Sequence, residues 1–426
     1  MSREPAPLRR RALVLALALA CTLTCALGAS PAPPAAASVR PDDRLGGEPL
    51  SASPAYEASA PDVDCAAGIL VTGDGEELWA RAADEKRAMA SITKIMTAVV
   101  VLESVKDLDE TVEIAPEAAA VGESEAGFVA GQRLSVRTLL EAMLVHSAND
   151  AASALAIHVA GSERAFVERM NAKAAELDAT STHFANVHGL DAPDHYTTAR
   201  DLATIARYAL SLPEFRRIVA MPAVRVPAAW GPTRYENSNK LIGSYPGATG
   251  VKTGWTNDAG YCLVASAKRD GVGLVGVVLG TRSESDRFVQ ARALLDWGFA
   301  HYRVRRLVSE GTTVAAVPVE DYLDLAVPAV VSTDASAPVF DVRGALEATV
   351  SVAESVRAPV RRGDRVGTVT VVQGDRIVAQ VPVVAARDVA APAWYERVGV
   401  WATRAWRRLF GGPLMARRQV VAPAVR

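Results

Sequence analysis

The spacing of apolar residues changes character three times along this 426-residue chain, and each change restricts the fold. Residues 65–84 read as a hairpin: "CAAGILVT", a "GDG" turn, then "EELWARAAD". From 136 to 210 the apolar residues recur at helical spacing, in "VRTLLEAMLVHS", "DAASALAIHVAG" and "SERAFVERMNAKAAEL". Strand texture then returns in "GYCLVASAKRD" and "VGLVGVVLG", turning at Gly271, and the helix "ESDRFVQARALLDWGFAHY" follows. Strands at both ends with helices between predict an α+β domain over 63–303, built as an antiparallel sheet with a helical insert. Beyond it, "TTVAAVPVE", "ATVSVAESV", "DRVGTVTVVQ" and "RIVAQVPVVAA" alternate apolar and polar residues between Gly-rich turns. That texture predicts a small β-sandwich over 304–390, and the chain is long enough to hold both domains.

Both ends are specialised. Arg9-Arg10-Arg11 precedes "ALVLALALACTLTCALG", the pattern of an export signal cleaved near Gly28 or Ala29, so 1–28 is expected to be a leader. The Pro/Ala/Ser-rich stretch over 29–62 reads as a flexible spacer. Without the leader, Cys65 and Cys262 remain, each in an apolar strand-like run, and both read as buried thiols. In the tail over 391–426, Trp394, Val398, Trp401, Ala402, Ala405, Trp406 and Leu409 share one helical face. Arg397, Arg404, Arg407 and Arg408 lie opposite or at its edge. This is the composition of a helix lying in a membrane interface; the alternative is a helix docked on its own domain with solvated arginines. A net charge of -2 gives no footprint for nucleic acid.

Three short motifs carry chemistry. Ser91-Ile92-Thr93-Lys94 opens an expected helix from about Ser91 to Ser104, with Ile95, Met96, Val99 and Val100 inward. One turn of helix brings Lys94 to Ser91, and a desolvated lysine near other cations serves as general base for a serine. The helix start favours an oxyanion on Ser91. Ser147-Ala148-Asn149 sits between two helices and offers a hydroxyl and an amide. Lys252-Thr253-Gly254 is read as beginning the strand "GWTNDAGYCLVASA", with Gly254 leaving room for a substrate backbone. Taken singly, each has a plainer reading: Ser91 and Asn149 as helix caps, Lys252 as an edge-strand charge. Their joint occurrence in suitable contexts argues against coincidence. His183, His188 and His195 lack the spacing of a zinc peptidase, and the last two read as pocket supports. No metal or cofactor is implied.

The three motifs together are a known signature of penicillin-interacting serine enzymes. The runs "ADEKRAMASITKIMTA", "MLVHSANDAA", "HFANVHGLDAPDHYTTARDLA", "NSNKLIGSYPGATGVKTGWTNDAGYCLVASAKRDG" and "VVLGTRSESDRF" make the chain resemble the low-molecular-mass penicillin-binding proteins. These are serine-type D-alanyl-D-alanine carboxypeptidases with a β-lactamase-like fold, and the likeness extends over about 65–303. The resemblance implies Ser91 as nucleophile, Lys94 as its base, Ser147 as proton relay and Asn149 as holder of the acyl-side amide. It implies Lys252 as electrostatic support, Thr253 and Arg287 as carboxylate binders, and the N–H groups of Ser91 and Trp255 as an oxyanion hole. Implied partners are peptidoglycan stem pentapeptides as substrates, β-lactams as covalent inhibitors, and the outer face of the cell membrane. The implied role is peptidoglycan remodelling and maintenance of cell shape. Ala90 departs from the pattern, since many relatives carry proline nearby. A β-lactamase would need a deacylating glutamate, absent from "FANVHGLDAPDHYTT". An inert wall-binding module and a D,D-endopeptidase or transpeptidase stay open as alternatives, the latter because it uses the same motifs.

Overall fold

The computed structural model describes residues 58–425; the expected leader and most of the spacer lie outside the described residues. Five strands form one fully antiparallel sheet in the order β2-β1-β9-β8-β7. They are β1 (Ala67–Thr72), β2 (Glu77–Arg81), β7 (Ala248–Thr256), β8 (Gly260–Arg269) and β9 (Val272–Thr281). Every residue of β1 is buried, as is most of β8 and β9. These central strands are covered on both faces, which is why their sequence runs are almost continuously apolar. One face takes α7 (Glu284–His301), through Leu294, Leu295 and Trp297. The other takes the helical insert, where Ile95, Val99, Leu202 and Ile205 join Val275 and Val277 in one core.

The insert runs through α1 (Lys94–Ser104), the short pair β3 (Thr111–Glu113) and β4 (Arg133–Ser135), and α2 (Val136–Glu141). α2 continues into a π-turn over Ala142–His146, followed by α3 (Asn149–Ala160), α4 (Glu163–Glu176), α5 (Ala199–Ser211) and α6 (Pro213–Val219). The hairpin of β5 (Ala223–Ala228) and β6 (Gly231–Glu236) leads back to the sheet. Side-chain caps fix several helix starts: Ser135 accepts from Thr138 N, Ser162 from Ala165 N, Thr198 from Asp201 N and Ser283 from Asp286 N.

Two local expectations change. The helix expected from Ser91 begins instead at Lys94; Ala90–Thr93 form a 3-10 turn entered through Ala90 in a left-handed conformation, φ +50. Lys252-Thr253-Gly254 does not open the strand of Gly260–Arg269; it lies in the separate edge strand β7, which ends at Thr256 before a tight turn. Asn257, Asp258 and Gly260 supply that turn.

Past α7, β10 (Tyr302–Val308) pairs with β13 (Ala335–Phe340). A six-stranded sheet faces this pair, in the order β14-β15-β16-β12-β11-β17. Its strands are β11 (Thr313–Pro318), β12 (Ala326–Val331), β14 (Leu346–Val352), β15 (Arg365–Gln373), β16 (Arg376–Ala385) and β17 (Gln419–Val420). Valines 314, 317, 327, 369, 371 and 383 fill the space between. The turn of the first hairpin reaches this region through Glu76, which is paired with Arg343 at 2.9 Å and with Arg376.

α8 (Trp394–Phe410) lays Arg404 and Arg407 against the domain, while Arg397 and Arg408 stay exposed. Arg404 donates to the carbonyls of Leu414 at 3.0 Å, Tyr322 at 3.2 Å and Glu320, and Arg407 lies 3.5 Å from Asp324. Trp394, Trp401 and Leu409 are 77%, 72% and 79% exposed. The helix is thus docked on the domain, but through Arg404 and Arg407, with its tryptophans outward and only Arg397 and Arg408 solvated. Among the described residues no helix is long and apolar enough to cross a membrane. Cys65 and Cys262 are buried and free, and burial pushes both thiols up to about 11.

Candidate active site

The Ser91 turn, the Ser147 turn and β7 converge on one buried amine. Lys94 has no exposed surface, and its Nζ donates to Ser91 Oγ at 2.9 Å, Asn149 Oδ1 at 2.7 Å and the His188 carbonyl at 2.6 Å. Burial first, and the nearby Lys252 charge second, hold its pKa well below the usual lysine value. The partner set matters chemically. Two of the three acceptors are carbonyl oxygens, which accept but never donate. A neutral Lys94 keeps its two N–H groups on Asn149 and His188 and turns its lone pair toward the one partner carrying a proton, Ser91.

The nucleophile turn is held from behind by Thr93 and by His195, one of the two histidines read as pocket supports. Thr93 Oγ1 donates to the Ala90 carbonyl at 2.8 Å and lies 2.8 Å from His195 Nε2. His195 Nδ1 accepts from Ala185 N at 3.0 Å, so its proton sits on Nε2 and points at Thr93. Burial pushes His195 down to about 4, keeping the ring neutral; burial and the Lys94 charge push His188 down to about 3. The loop carrying His188 is tied to α1 by Thr97 Oγ1, which donates to the Val187 carbonyl at 2.6 Å. It is closed on itself by Asn186, which accepts from Gly189 N at 2.7 Å and donates to the Leu190 carbonyl at 2.8 Å. Gly189, at φ +97, lies directly on Ala90; a Cβ there would stand 2.0 Å from the Ala90 oxygen. The "HGL" run offered a turn signal for it, without naming what it packs against.

Ser147 takes a left-handed conformation, φ 78, where the π-turn ends, and its hydroxyl makes no hydrogen bond among the described residues. Asn149 opens α3; besides accepting from Lys94 it donates Nδ2 to the Gly122 carbonyl at 3.0 Å. Lys252 is fully buried and donates to the Thr253 carbonyl at 3.0 Å; burial and then Arg287 push it down to about 7. Thr253 Oγ1 donates to Ser238 Oγ at 2.7 Å, adding Ser238 to the site. Gly254 corrects an expectation. Its missing Cβ would stand 3.0 Å from Ala90 Cβ and 3.1 Å from both Met89 O and Ser91 N, so the space it leaves is taken by the nucleophile turn. Trp255 follows, half exposed, its ring 5.9 Å from Tyr261. Arg287 is buried, donates to the Gly254 carbonyl at 3.1 Å and lies over Phe288 at 5.0 Å. The geometry thus joins eight of the nine expected side chains or backbone positions through direct contacts or adjacency. Ser147 makes no such contact and enters by its place two residues before Asn149.

Comparison with known proteins identifies the family and the fold. Residues 55–283 match the family model described as D-alanyl-D-alanine carboxypeptidase. The chain belongs to that family. Residues 302–391 match the model of the penicillin-binding protein 5 C-terminal domain. The Bacillus subtilis D-alanyl-D-alanine carboxypeptidase DacF is 31% identical over 332 residues, which cover 75% of this chain and 84% of the relative. A solved D-alanyl-D-alanine carboxypeptidase DacD from Francisella tularensis superposes with a TM-score of 0.60 at 28% identity, covering 78% of this chain and 95% of that one. The Streptomyces K15 DD-transpeptidase superposes with a TM-score of 0.54 at 34% identity, covering 56% of this chain and 98% of that one.

Proposed function

We propose that this member of the D-alanyl-D-alanine carboxypeptidase family removes the terminal D-alanine from peptidoglycan stem pentapeptides through an acyl-enzyme on Ser91. The observation that carries the reading is the desolvated Lys94 amine, 2.9 Å from Ser91 Oγ with its other donors committed to carbonyl oxygens. Neutral Lys94 takes the Ser91 proton as Oγ attacks the scissile carbonyl. The oxyanion is received by the N–H groups of Ser91 and Trp255. Asn149 holds the acyl-side amide, and Ser147, supported by the Lys252 charge, passes a proton to the leaving amine. Thr253 donates its hydroxyl to the terminal carboxylate, with the Arg287 charge behind the strand. Water then releases the acyl group. β-Lactams would acylate the same serine. The domains assigned to this work are 63–303 for catalysis and 304–390 for the sandwich.

Incubating the full chain with a stem pentapeptide and weighing the products tests the reaction. Loss of one D-alanine, abolished in S91A, supports the reading; cross-linked dimers as sole product favour transpeptidation, the activity named for the K15 neighbour. The work is assigned to the extracytoplasmic membrane face, with α8 as a peripheral anchor. Support comes from its outward Trp394, Trp401, Trp406 and Leu409, with Arg404 and Arg407 holding the helix to the domain and Arg397 and Arg408 exposed. Cosedimentation with anionic vesicles is expected for the parent and lost in a W394A/W401A/L409A triple variant; equal pelleting would end the anchor proposal.

A further inference from the structure

The acyl-side wall of the site carries one charge with no assigned task. Residues 122–128 form a loop clamped from several sides. Asn149 holds it at two points: Nδ2 donates to the Gly122 carbonyl at 3.0 Å and its backbone N to the Ser124 carbonyl at 2.6 Å. The buried Asp150 carboxylate accepts from Ala126 N and Phe128 N, each at 3.1 Å. Tyr235, stacked on His146 at 3.8 Å, donates its hydroxyl to the Ala126 carbonyl at 3.0 Å. Glu125 is used internally, accepting from Gly122 N at 2.9 Å.

Glu123 differs. It lies between the two residues that Asn149 grips, so its place relative to Lys94 is fixed by the same amide that accepts from Lys94. It holds a left-handed backbone, φ 62, which an ordinary L-residue adopts only when its surroundings impose it. Its side chain is exposed and, among the described residues, makes no hydrogen bond or ion pair. Its charge is nonetheless felt at Lys94, where it opposes the lowering caused by burial.

We propose that Glu123 is a specificity-determining residue that selects stem peptides bearing a free ammonium group on the residue preceding D-Ala-D-Ala. The inference rests on the D,D-carboxypeptidase reading. Along that substrate the terminal carboxylate lies at the cationic end, by Lys252, Thr253 and Arg287. The acyl-side amide lies on Asn149, so the preceding residue passes the loop that Asn149 clamps. An unpaired carboxylate on that clamped backbone complements a cationic side chain and opposes an anionic one.

The test measures D-alanine release by the full chain from Nα-acetyl-L-Lys-D-Ala-D-Ala and from its Nα,Nε-diacetyl counterpart. The parent is expected to favour the free amine in kcat/KM by about fivefold at most, the range of an exposed ion pair, expressed in KM. Raising the salt should shrink the ratio, and E123Q should bring it to about one. A parent ratio of one, a ratio that E123Q leaves standing, or an E123Q loss that falls equally on kcat for both peptides overturns the assignment and leaves the hydrolase reading intact. Failure of the parent to release D-alanine from either peptide overturns both.

Discussion

Replacing Gly189 by alanine is a severe perturbation of a residue that touches no substrate. The new Cβ would stand 2.0 Å from the Ala90 oxygen, 2.4 Å from the Ala90 carbonyl carbon and 2.9 Å from Ser91 N, where real contacts do not fall below 3.0 Å. Reaching 3.0 Å from the oxygen requires a displacement of about 1 Å, and the atoms in the way are backbone of the nucleophile turn. Overpacking of this kind costs roughly 1–3 kcal/mol, and the left-handed φ of +97 adds about 1–2 kcal/mol for any residue with a Cβ. The catalytic effect is expected to exceed the effect on stability, because a reacting group misplaced by about 1 Å loses on the order of 100-fold in rate. Gly311 provides the control: its φ is +74 but a Cβ there meets nothing within 4 Å. G311A should lose about 1–2 kcal/mol and acylate at the parent rate. The assay is single-turnover labelling with fluorescent penicillin, at a temperature where circular dichroism shows both variants folded. Folded G189A labelling at the parent rate would refute the claim that this glycine sets the position of Ser91.

Three further outcomes are expected. K94M should slow penicillin acylation by about 10²–10⁴-fold, the usual contribution of a positioned proton acceptor; parent-like labelling would remove Lys94 from the mechanism. K252M should separate stability from activity. The folded pKa of about 7 lies below the ordinary 10.5, so the unfolded chain holds the proton more tightly between those values. The resulting penalty, at most roughly 5 kcal/mol, is fully present below pH 7 and fades as the pH rises toward 10.5. K252M should therefore melt higher than the parent near pH 7, with the gain shrinking by pH 10, while turnover falls; a lower melt at pH 7 would contradict this. E76Q should destabilise by about 1 kcal/mol, the upper end for an ion pair that water reaches, since Glu76 is 9% exposed but Arg343 and Arg376 are 22% and 45% exposed. A thermal melt identical to the parent would refute it, and penicillin labelling per folded molecule should be retained.

What the sequence disclosed follows from the range of its signals. The Ser91–Lys94 pairing was legible because one helical turn relates the two, even though the helix starts three residues later than expected. The two faces of α8 were legible from periodicity, but periodicity cannot say which face meets the domain; the carbonyls of Glu320 and Tyr322 decide that, and they lie far away in sequence. His195 and Ser238 could not be given their contacts. Each acts through a single bond to Thr93 or Thr253, across a separation no local pattern encodes. The β7–β8 turn was different: its signals were present at Asn257, Asp258 and Gly260, and the apolar runs on either side masked them.

The same distinction explains why three weak motifs make one strong site. A buried lysine is costly unless its surroundings are rigid and polar in the right places, and neither Lys94 nor Lys252 is kept from water by its own element alone. Lys94 is covered by the Asn149 helix start and the His188 loop, and β7 packs against the Ser91 turn because Gly254 has no side chain to hold it off. The Lys252 charge in turn makes Lys94 harder to protonate, as Arg287 does for Lys252. Loss of the Asn149 helix start or the His188 loop would take an acceptor from the Lys94 amine and open it to water. Their separation along the chain is therefore a consequence of the chemistry: only segments from the sheet edge, the helix start and the insert can close on one amine from all sides.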